Sequence, residues 1–373
     1  MLFQKVAGKR TTTSMVSPSA PKGLWAWGRN PSGELGQSDV ISRSSPVQVG
    51  NTITWASISI CSNLSLALKT DGTIWSWGSN VAGKIGVGDV VHRSSPVQVG
   101  TLATWASVDA GNNGSLALKT DGTIWSWGSG GNGTLGLGDT LSRSSPVQVG
   151  TLATWASVSC TADGFAIKTN GTLWAWGQNF KGGLGQDNLT KRSSPVQVGT
   201  LATWSKVSSF GFATAAITTA GTLWVWGSNP YGQHGFGDVV YRSSPVQVGT
   251  LATWASALGS TNALLATKTD GTLWAWGKNL HGQLGLGDIV SRSSPVQVGT
   301  LATWSTVVAG NNHTSARQTD GTLWAWGFND DGQLGQTNVI KRSSPVQVGT
   351  LTGWNAISTS GYAAAFTVGI RVF

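Results

Sequence analysis

The stretch LWAWGKNLHGQLG at residues 273–285, followed by RSSPVQV at 292–298, decides the fold because both motifs recur along the chain. The first Trp of the Trp-x-Trp-Gly motif recurs every 50 residues, with one interval of 49. A third Trp follows each RSSPVQV segment, so three positions per repeat account for all 21 tryptophans. A fixed period of this length is the sequence signature of a repeat architecture. The motif begins at Trp25, Trp75, Trp125, Trp174, Trp224, Trp274 and Trp324.

Each period contains the pattern of four short β-strands. In one repeat Trp105–Ala110 is the first predicted strand, and Ser115–Thr120 alternates polar and apolar residues as the second. An Asp-Gly hairpin turn at 121–122 leads to the third, Thr123–Gly128. A Gly-rich loop precedes the fourth, which starts at Pro146, a position that an edge strand tolerates. Seven repeats of four strands predict an all-β fold, a seven-bladed β-propeller.

The chain begins and ends inside a repeat, which predicts how the propeller closes. It starts at a third strand, Leu24–Gly28, and finishes after a second strand at residues 363–368. We expect 23–50 and 350–373 to complete one blade, because this pairing removes open sheet edges. Residues 1–22 are expected to form a separate basic arm or anchor. The other predicted blades span about 51–100, 101–150, 151–199, 200–249, 250–299 and 300–349.

Charge distinguishes the predicted arm from the rest of the chain. The net charge is +9, and four positive charges lie among the first 22 residues, which contain no acid. We expect the arm to meet an anionic partner. Nucleic acid binding is not favoured, because it needs a concentrated basic stripe. The predicted anchor residues are Leu2, Phe3, Lys5, Lys9 and Arg10.

Location is predicted only broadly by the sequence. No apolar run approaches the ~20 residues of a membrane span, and the N-terminus lacks the apolar core of a signal peptide. Cys61 and Cys160 lie in separate repeats and indicate no disulfide framework. We therefore expect a virion or cytoplasmic protein.

The tryptophans are expected to form the core between blades. Trp125 and Trp127 are two residues apart, so they point to one face of their strand, while small Ser126 points to the other. Large rings of one blade can then pack on the small-residue face of the next. Each buried indole removes on the order of 200 Å² from water, which favours packing over a ligand platform or chromophore.

Catalytic, metal and cofactor sites are not predicted. Gly131–Gly136 matches the dinucleotide pattern Gly-x-Gly-x-x-Gly, but it opens no helix and the other repeats keep only part of it. The four histidines share no metal-ligand spacing. No nucleophile–base set recurs, and the sparse acids argue against paired carboxylates. We expect no enzymatic activity and no cofactor.

The arginine before every Ser-Ser-Pro allows two interpretations. An acid or amide stands four residues earlier in each repeat, such as Asp89 before Arg93. In the first interpretation the pair braces the loop, and in the second the arginines form a basic ring for an anionic partner. The ring would consist of Arg43, Arg93, Arg143, Arg192, Arg242, Arg292 and Arg342.

Differences between repeats concentrate in the loops at one face. Adjacent strands run antiparallel, so the loops after the first and third strands open on the same side, and both vary. Exposed loop aromatics are usual binding anchors, although neutral drift would also leave such differences. The predicted partner-binding residues are Phe180, Lys181, Phe210, Phe212, Tyr231, His234, His281, His313, Phe328, Asp330 and Tyr362.

The whole repeat resembles that of the regulator of chromosome condensation family. The resemblance covers residues 23–373, with good examples of the motif at Leu273–Gly285 and Leu323–Gly335. It implies the propeller fold, and known members include an exchange factor for a small GTPase, a plant ultraviolet-B photoreceptor and a secreted β-lactamase inhibitor. The uniform repeats look most like those of bacterial and phage members. The chain lacks the photoreceptor motif Gly-Trp-Arg-His-Thr, the exchange factor's projecting insertion and an export signal.

Two functions remain open at this stage. The favoured one is a non-enzymatic protein-interaction or structural propeller, in a phage virion or bacterial surface assembly, anchored by its arm and binding a partner through the variable face. The alternative is a soluble regulator, such as a guanine-nucleotide exchange factor for a small GTPase.

Overall fold

The computed structural model describes residues 21–360 and 365–373, and these form a β-propeller. Its 28 strands assemble into seven four-stranded antiparallel sheets, which confirms the expected fold class. Blade 1 contains β1, β2, β27 and β28, and blades 2 to 7 follow in chain order with four strands each. Short 3-10 turns lie at Val81–Gly83, Gly131–Gly133 and Phe180–Gly182.

The strand bounds repeat closely from blade to blade. In chain order they are β1 (Lys22–Gly28), β2 (Arg43–Gln48), β3 (Trp55–Cys61), β4 (Leu64–Lys69), β5 (Ile74–Gly78), β6 (Arg93–Gln98), β7 (Trp105–Ala110), β8 (Gly114–Lys119), β9 (Ile124–Gly128), β10 (Arg143–Gln148), β11 (Trp155–Cys160), β12 (Asp163–Lys168), β13 (Leu173–Gly177), β14 (Arg192–Gln197), β15 (Trp204–Phe210), β16 (Ala213–Thr218), β17 (Leu223–Gly227), β18 (Arg242–Gln247), β19 (Trp254–Gly259), β20 (Ala263–Lys268), β21 (Leu273–Gly277), β22 (Arg292–Gln297), β23 (Trp304–Ala309), β24 (His313–Gln318), β25 (Leu323–Gly327), β26 (Arg342–Gln347), β27 (Trp354–Thr359) and β28 (Phe366–Val372).

The first and last parts of the chain close the ring within blade 1, as the half-repeats predict. The strand order of this sheet is β2-β1-β28-β27. β1 and β28 pair in an uninterrupted antiparallel register, from Lys22 opposite Val372 to Gly28 opposite Phe366. The propeller therefore begins at Lys22, which the sequence analysis assigned to the arm.

The four strands of a blade lie at increasing distance from the ring axis. First strands such as β3, β7 and β11 contact one another from blade to blade, so they surround the axis. The fourth strands, all RSSPVQ, pair with the third strands of their own blades and form the outer rim. They begin at the arginine, three residues before the expected proline, and a bulge in the pairing accommodates the proline at this edge.

Tryptophans fill the space between adjacent blades. Trp77 of β5 is fully buried, and its Nε1 donates a 2.8 Å hydrogen bond to the carbonyl of Glu34 in blade 1. The ring centre of Trp55 lies 6.2 Å from that of Trp77 and 6.4 Å from that of Trp75. The inter-blade indole bond occurs at all seven blade junctions, which confirms the expected core role for the second Trp of each motif, whereas the first Trp of each motif is only half-buried.

The glycine that ends the segment Gly83–Gly86 is required by this packing. Gly86 has φ +87°, and a Cβ added there would lie 2.6 Å from Nε1 of Trp127. A side chain at this site would therefore strain the backbone and displace the indole of the next blade.

Ring closure gives a first prediction. Removing residues 363–373 takes β28 out of blade 1 and leaves β1 and β27 without their shared partner. We expect the shortened chain to lose cooperative thermal unfolding, measured by circular dichroism, because the ring can no longer bury its seam. Removing residues 1–20 is the matched control and should leave the melting temperature nearly unchanged. A chain without β28 that melts as sharply as the full chain would contradict this role of the seam.

Candidate functional site

An asparagine side chain fixes the long loop between the third and fourth strands. In blade 2, Asn80 Nδ2 donates to the backbone carbonyl and the carboxylate of Asp89. Its Oδ1 accepts a 2.9 Å hydrogen bond from the backbone N–H of Ile85. Five other blades carry an equivalent asparagine with such bonds. The variable side chains are therefore displayed on loops of nearly constant shape.

The aspartate of this loop braces the arginine that starts the fourth strand. Asp89 accepts a bond from the N–H of Val91, and its Oδ2 lies 2.6 Å from Nη2 of Arg93. These interactions hold the pKa of the Asp89 carboxyl below its usual value. Five blades contain the same ion pair, so their arginines brace the loop as in the first interpretation. The paired arginines are Arg43, Arg93, Arg143, Arg242 and Arg292.

The other two arginines, Arg192 of blade 4 and Arg342 of blade 7, follow a different pattern. Each repeat has asparagine in place of the aspartate and a lysine directly before the arginine, Lys191 and Lys341 respectively. Both loops therefore lack the aspartate–arginine pair, although Asp187 lies in the first loop and Asp330 and Asp331 lie in the second.

A cluster of aromatic rings and one lysine spans blades 4 and 5. Phe180 and Phe212 pack with ring centres 4.7 Å apart. Lys181 Nζ lies 5.4 Å from the ring centre of Phe180 and 4.9 Å from that of Tyr241. Phe180 is 43% exposed and Tyr241 44% exposed, so the cluster faces solvent. We call Phe180, Lys181, Phe212 and Tyr241 cluster A.

A second cluster joins blades 5, 6 and 7. His281 and Phe328 pack edge-on with ring centres 5.0 Å apart, and Lys341 Nζ lies 4.7 Å from the Phe328 ring centre. Burial and the charges of Lys278 and Lys341 lower the pKa of His281, and the charge of Asp330 opposes this shift. Nζ of the exposed Lys341 also lies 3.4 Å from Oδ1 of Asp330. Cluster B comprises Tyr231, Lys278, His281, Phe328, Asp330 and Lys341.

Three residues predicted at this face, Phe210, His234 and His313, are buried, so the prediction is wrong for them. The Phe210 ring covers Gly259 of blade 6, where a Cβ would overlap it. His234 occupies the leucine position of the Gly-Gln-Leu-Gly motif, and burial lowers its pKa to about 4. His313 hydrogen-bonds Thr367 at 3.2 Å across the junction of blades 7 and 1, and burial lowers its pKa to about 4. Tyr362 and the anchor residues Leu2, Phe3, Lys5, Lys9 and Arg10 lie outside the described residues.

Asp163, which the sequence analysis did not select, supports the loop of cluster A from below. It starts β12 in the one repeat that is a residue short, and only 5% of it is exposed. Its Oδ1 accepts a 3.2 Å hydrogen bond from the N–H of Asn179, directly before Phe180. Burial raises the pKa of Asp163 to about 6, although hydrogen bonds from Asn179 and Gln178 oppose the shift.

Residues 21–360 and 365–373 contain no group of three His, Cys, Asp or Glu placed to hold a metal ion. Cys61 and Cys160 are buried, and neither forms a disulfide. No helix in these two ranges is long and apolar enough to cross a bilayer. In this part of the chain, the variable face offers aromatic and charged contacts.

The raised pKa of Asp163 predicts a pH-dependent stability change. The folded chain holds this proton more tightly than the unfolded chain, whose value is near 3.8, so stability falls as pH rises from about 4 to about 6. Asp163→Asn keeps an acceptor for Asn179 and removes the charge. We expect it to stabilise the fold by up to ~3 kcal/mol at pH 7 and by almost nothing at pH 4.

Calorimetric melting at the two pH values measures this effect. Asp139→Asn is the control with the opposite sign, because bonds from Leu141 and Arg143 lower the pKa of Asp139. That variant should be less stable than the parent at pH 7. A gain at Asp163→Asn that is equal at both pH values would show that charge is not the cause.

Several known structures share this ring. Prp20p from Saccharomyces cerevisiae superposes with a TM-score of 0.85 at 20% identity, covering 98% of this chain and 93% of that chain. Human WBSCR16 has a TM-score of 0.83 at 19% identity, covering 94% and 99% respectively. Yeast RCC1 (Prp20) bound to Kap60 gives 0.83 at 18% identity, covering 100% and 96%. At these identities the likeness shows the fold alone.

Sequence comparisons address the repeats directly. No curated protein sequence matches significantly. The family model "Regulator of chromosome condensation (RCC1) repeat" matches residues 71–118, 121–165, 170–217, 270–317 and 320–365, more than half of the chain. A second model of the same repeat matches 105–134 and 304–333. The chain belongs to the regulator of chromosome condensation (RCC1) repeat family.

Proposed function

We propose that this propeller is a non-enzymatic binding protein that recognises an acidic protein surface through clusters A and B. The observation that carries the proposal is the placement of exposed aromatic rings beside lysines on blades 4 to 7. The same stretch contains both loops whose arginines lack an aspartate partner.

Charge is the first support for an acidic partner. Lys181, Lys191, Lys278 and Lys341 lie in the loops of blades 4, 6 and 7, and Arg192 and Arg342 add to them. Asp330 balances one of these charges through its ion pair with Lys341. Asp187 and Asp331 in the same loops offset two more, and the remaining positive charge attracts carboxylates on a partner, which raises the association rate at low salt.

The aromatic rings provide the second support. Aromatic side chains beside cations are typical of the few residues that dominate an interface energetically. Phe180 and Tyr241 are already ordered by Phe212 and Lys181, so little side-chain entropy is lost when a partner covers them. Rigid loops, fixed by the asparagine bonds, further lower the cost of binding.

An assembly role extends this proposal. We place the chain in a virion or bacterial surface assembly, where residues 1–20 act as the anchor and the variable face binds the partner. The positive charge of the arm, with no acid among its residues, supports a negatively charged dock. The crystal structure of the related Prp20p was described together with its binding to Gsp1p and histones. An exchange-factor role is supported here by the fold alone.

Substitutions at two lysines and at one exposed ring test the binding face. Lys341→Ser and Lys191→Ser install the residue found at Ser291, and Phe180→Ala truncates the exposed ring. We expect each to weaken partner binding about fivefold or more without a large change in melting temperature. Proteins retained from the native source by the immobilised chain and its variants would be compared by quantitative mass spectrometry.

Asp121→Asn on the opposite face is the matched control, since the fourth repeat has Asn170 at that position. A true partner should be retained by this variant and lost from the Lys341, Lys191 and Phe180 variants. It should also bind less tightly as salt increases. Equal loss from variants on both faces would reject the assignment of the binding face.

The arm has its own test. Removing residues 1–20 should leave the melting temperature of the propeller nearly unchanged. It should abolish co-sedimentation of the protein with native particles of the proposed assembly. Replacing Lys5, Lys9 and Arg10 with serine should weaken co-sedimentation at low salt, and the difference from the parent should shrink at higher salt, because salt screens the attraction that the parent retains. A shortened chain that still sediments with the particles would disprove the anchor role.

A further inference from the structure

A cleft of about 440 Å³ opens at the junction of blades 1 and 2. It lies outside clusters A and B, on the side of the ring where the chain closes. The linker between β2 and β3 forms one wall, and strands of blade 2 form the other. Its principal lining side chains are Gln37, Ser38, Thr52, Trp55, Lys69 and Trp75.

Three lining residues depart from the repeat. All six other repeats have leucine at the position of Thr52, as in Leu102. Most have an apolar residue at the position of Gln37 and glycine at that of Ser38, as in Val87 and Gly88. Only this junction combines glutamine, serine and threonine at these three positions with the lysine and both tryptophans. A short threonine replaces a leucine there, so space opens beside polar groups.

The polar side chains of the cleft are held in place. Gln37 Nε2 donates to the carbonyls of Val47 and Gln48, both at 3.2 Å. The hydroxyls of Ser38 and Ser95 lie 2.8 Å apart and join the two blades across the opening. The hydroxyls of Ser38 and Ser95 are therefore held at the opening, while the amide donors of Gln37 are already used within the wall.

Lys69 supplies the charge of the cleft. Its Nζ lies 3.6 Å from the ring centre of Trp75 and 5.3 Å from that of Trp55. Desolvation lowers its pKa, and the nearby charge of Asp71 only partly opposes this. Among the described residues, no carboxylate lies within ion-pair distance of this ammonium group. A ligand carboxylate would supply the missing counter-charge.

We propose that this cleft binds a small carboxylated sugar, such as a hexuronate unit. The ammonium of Lys69 would bind its carboxylate, and the hydroxyls of Ser38, Thr52 and Ser95 would bind the ring hydroxyls. The face of the Trp75 indole holds this ammonium in the wall, with Nζ 3.6 Å from the ring centre. The volume is within the ~300–1,000 Å³ typical of small-molecule sites. This binding is independent of the proposed acidic protein partner.

Titration calorimetry of the full chain with D-glucuronate, D-glucose and acetate tests the proposal. D-glucuronate should bind about tenfold or more tightly than either D-glucose or acetate. Thr52→Leu restores the residue of the other repeats and fills the cleft, so it should raise the Kd for glucuronate about tenfold or more. Lys69→Gln installs the residue found at Gln318 and should abolish the preference for glucuronate over glucose.

Lys119→Gln makes the same change one junction further along, where the linker has leucine, and should leave glucuronate binding unchanged. Melting temperatures confirm that the variants fold, and Ser38→Gly provides a further variant that the repeat tolerates. The proposal is overturned if glucuronate does not bind at tens of millimolar, if glucose or acetate binds equally well, or if Lys119→Gln weakens binding as much as Lys69→Gln.

Discussion

The hydrogen bond from a buried indole to a carbonyl of the preceding blade is the interaction on which this ring depends. It recurs at every junction, as from Trp127 to Lys84 at 2.9 Å. A net bond of about 1 kcal/mol is small beside the burial of the ring itself, but it has direction. The acceptor carbonyl belongs to the long loop of the preceding blade, so the packing of blades and the position of the loop face are set together.

Much of this fold could be predicted from sequence because every repeat gives the same local signals. The Trp-x-Trp-Gly spacing, the Asp-Gly turns and the half-repeats predicted seven blades and the seam in blade 1. The sequence predicts the start of the fourth strand three residues late, at the proline, because proline is tolerated at the first position of an edge strand. The structure pairs Arg93 with Gly78 and lets the proline sit within a bulge on the outer edge.

The site was less predictable, because variation along a sequence identifies loops without showing which side chains face solvent. His234 is buried since it stands at a leucine position, a signal that the motif already contained. Phe210 is buried since blade 6 offers Gly259 beneath it, and this requires knowledge of the neighbouring blade. Lys181 and Tyr241 come together only in the folded ring, so sequence distance hides their contact.

Near-identical blades make departures from the repeat unusually informative. Each blade mainly contacts its two neighbours, so a local change alters one junction and leaves the rest of the ring intact. The indole bonds keep the loops in place while their side chains change. Asn188 and Asn338 replace the aspartate of the other repeats, so Arg192 and Arg342 lack that ion-pair partner beside the aromatic clusters. Thr52 leaves space at another junction. These departures change side chains at the surface more than side chains in the core, because the same packing between blades accommodates different side chains in the loops.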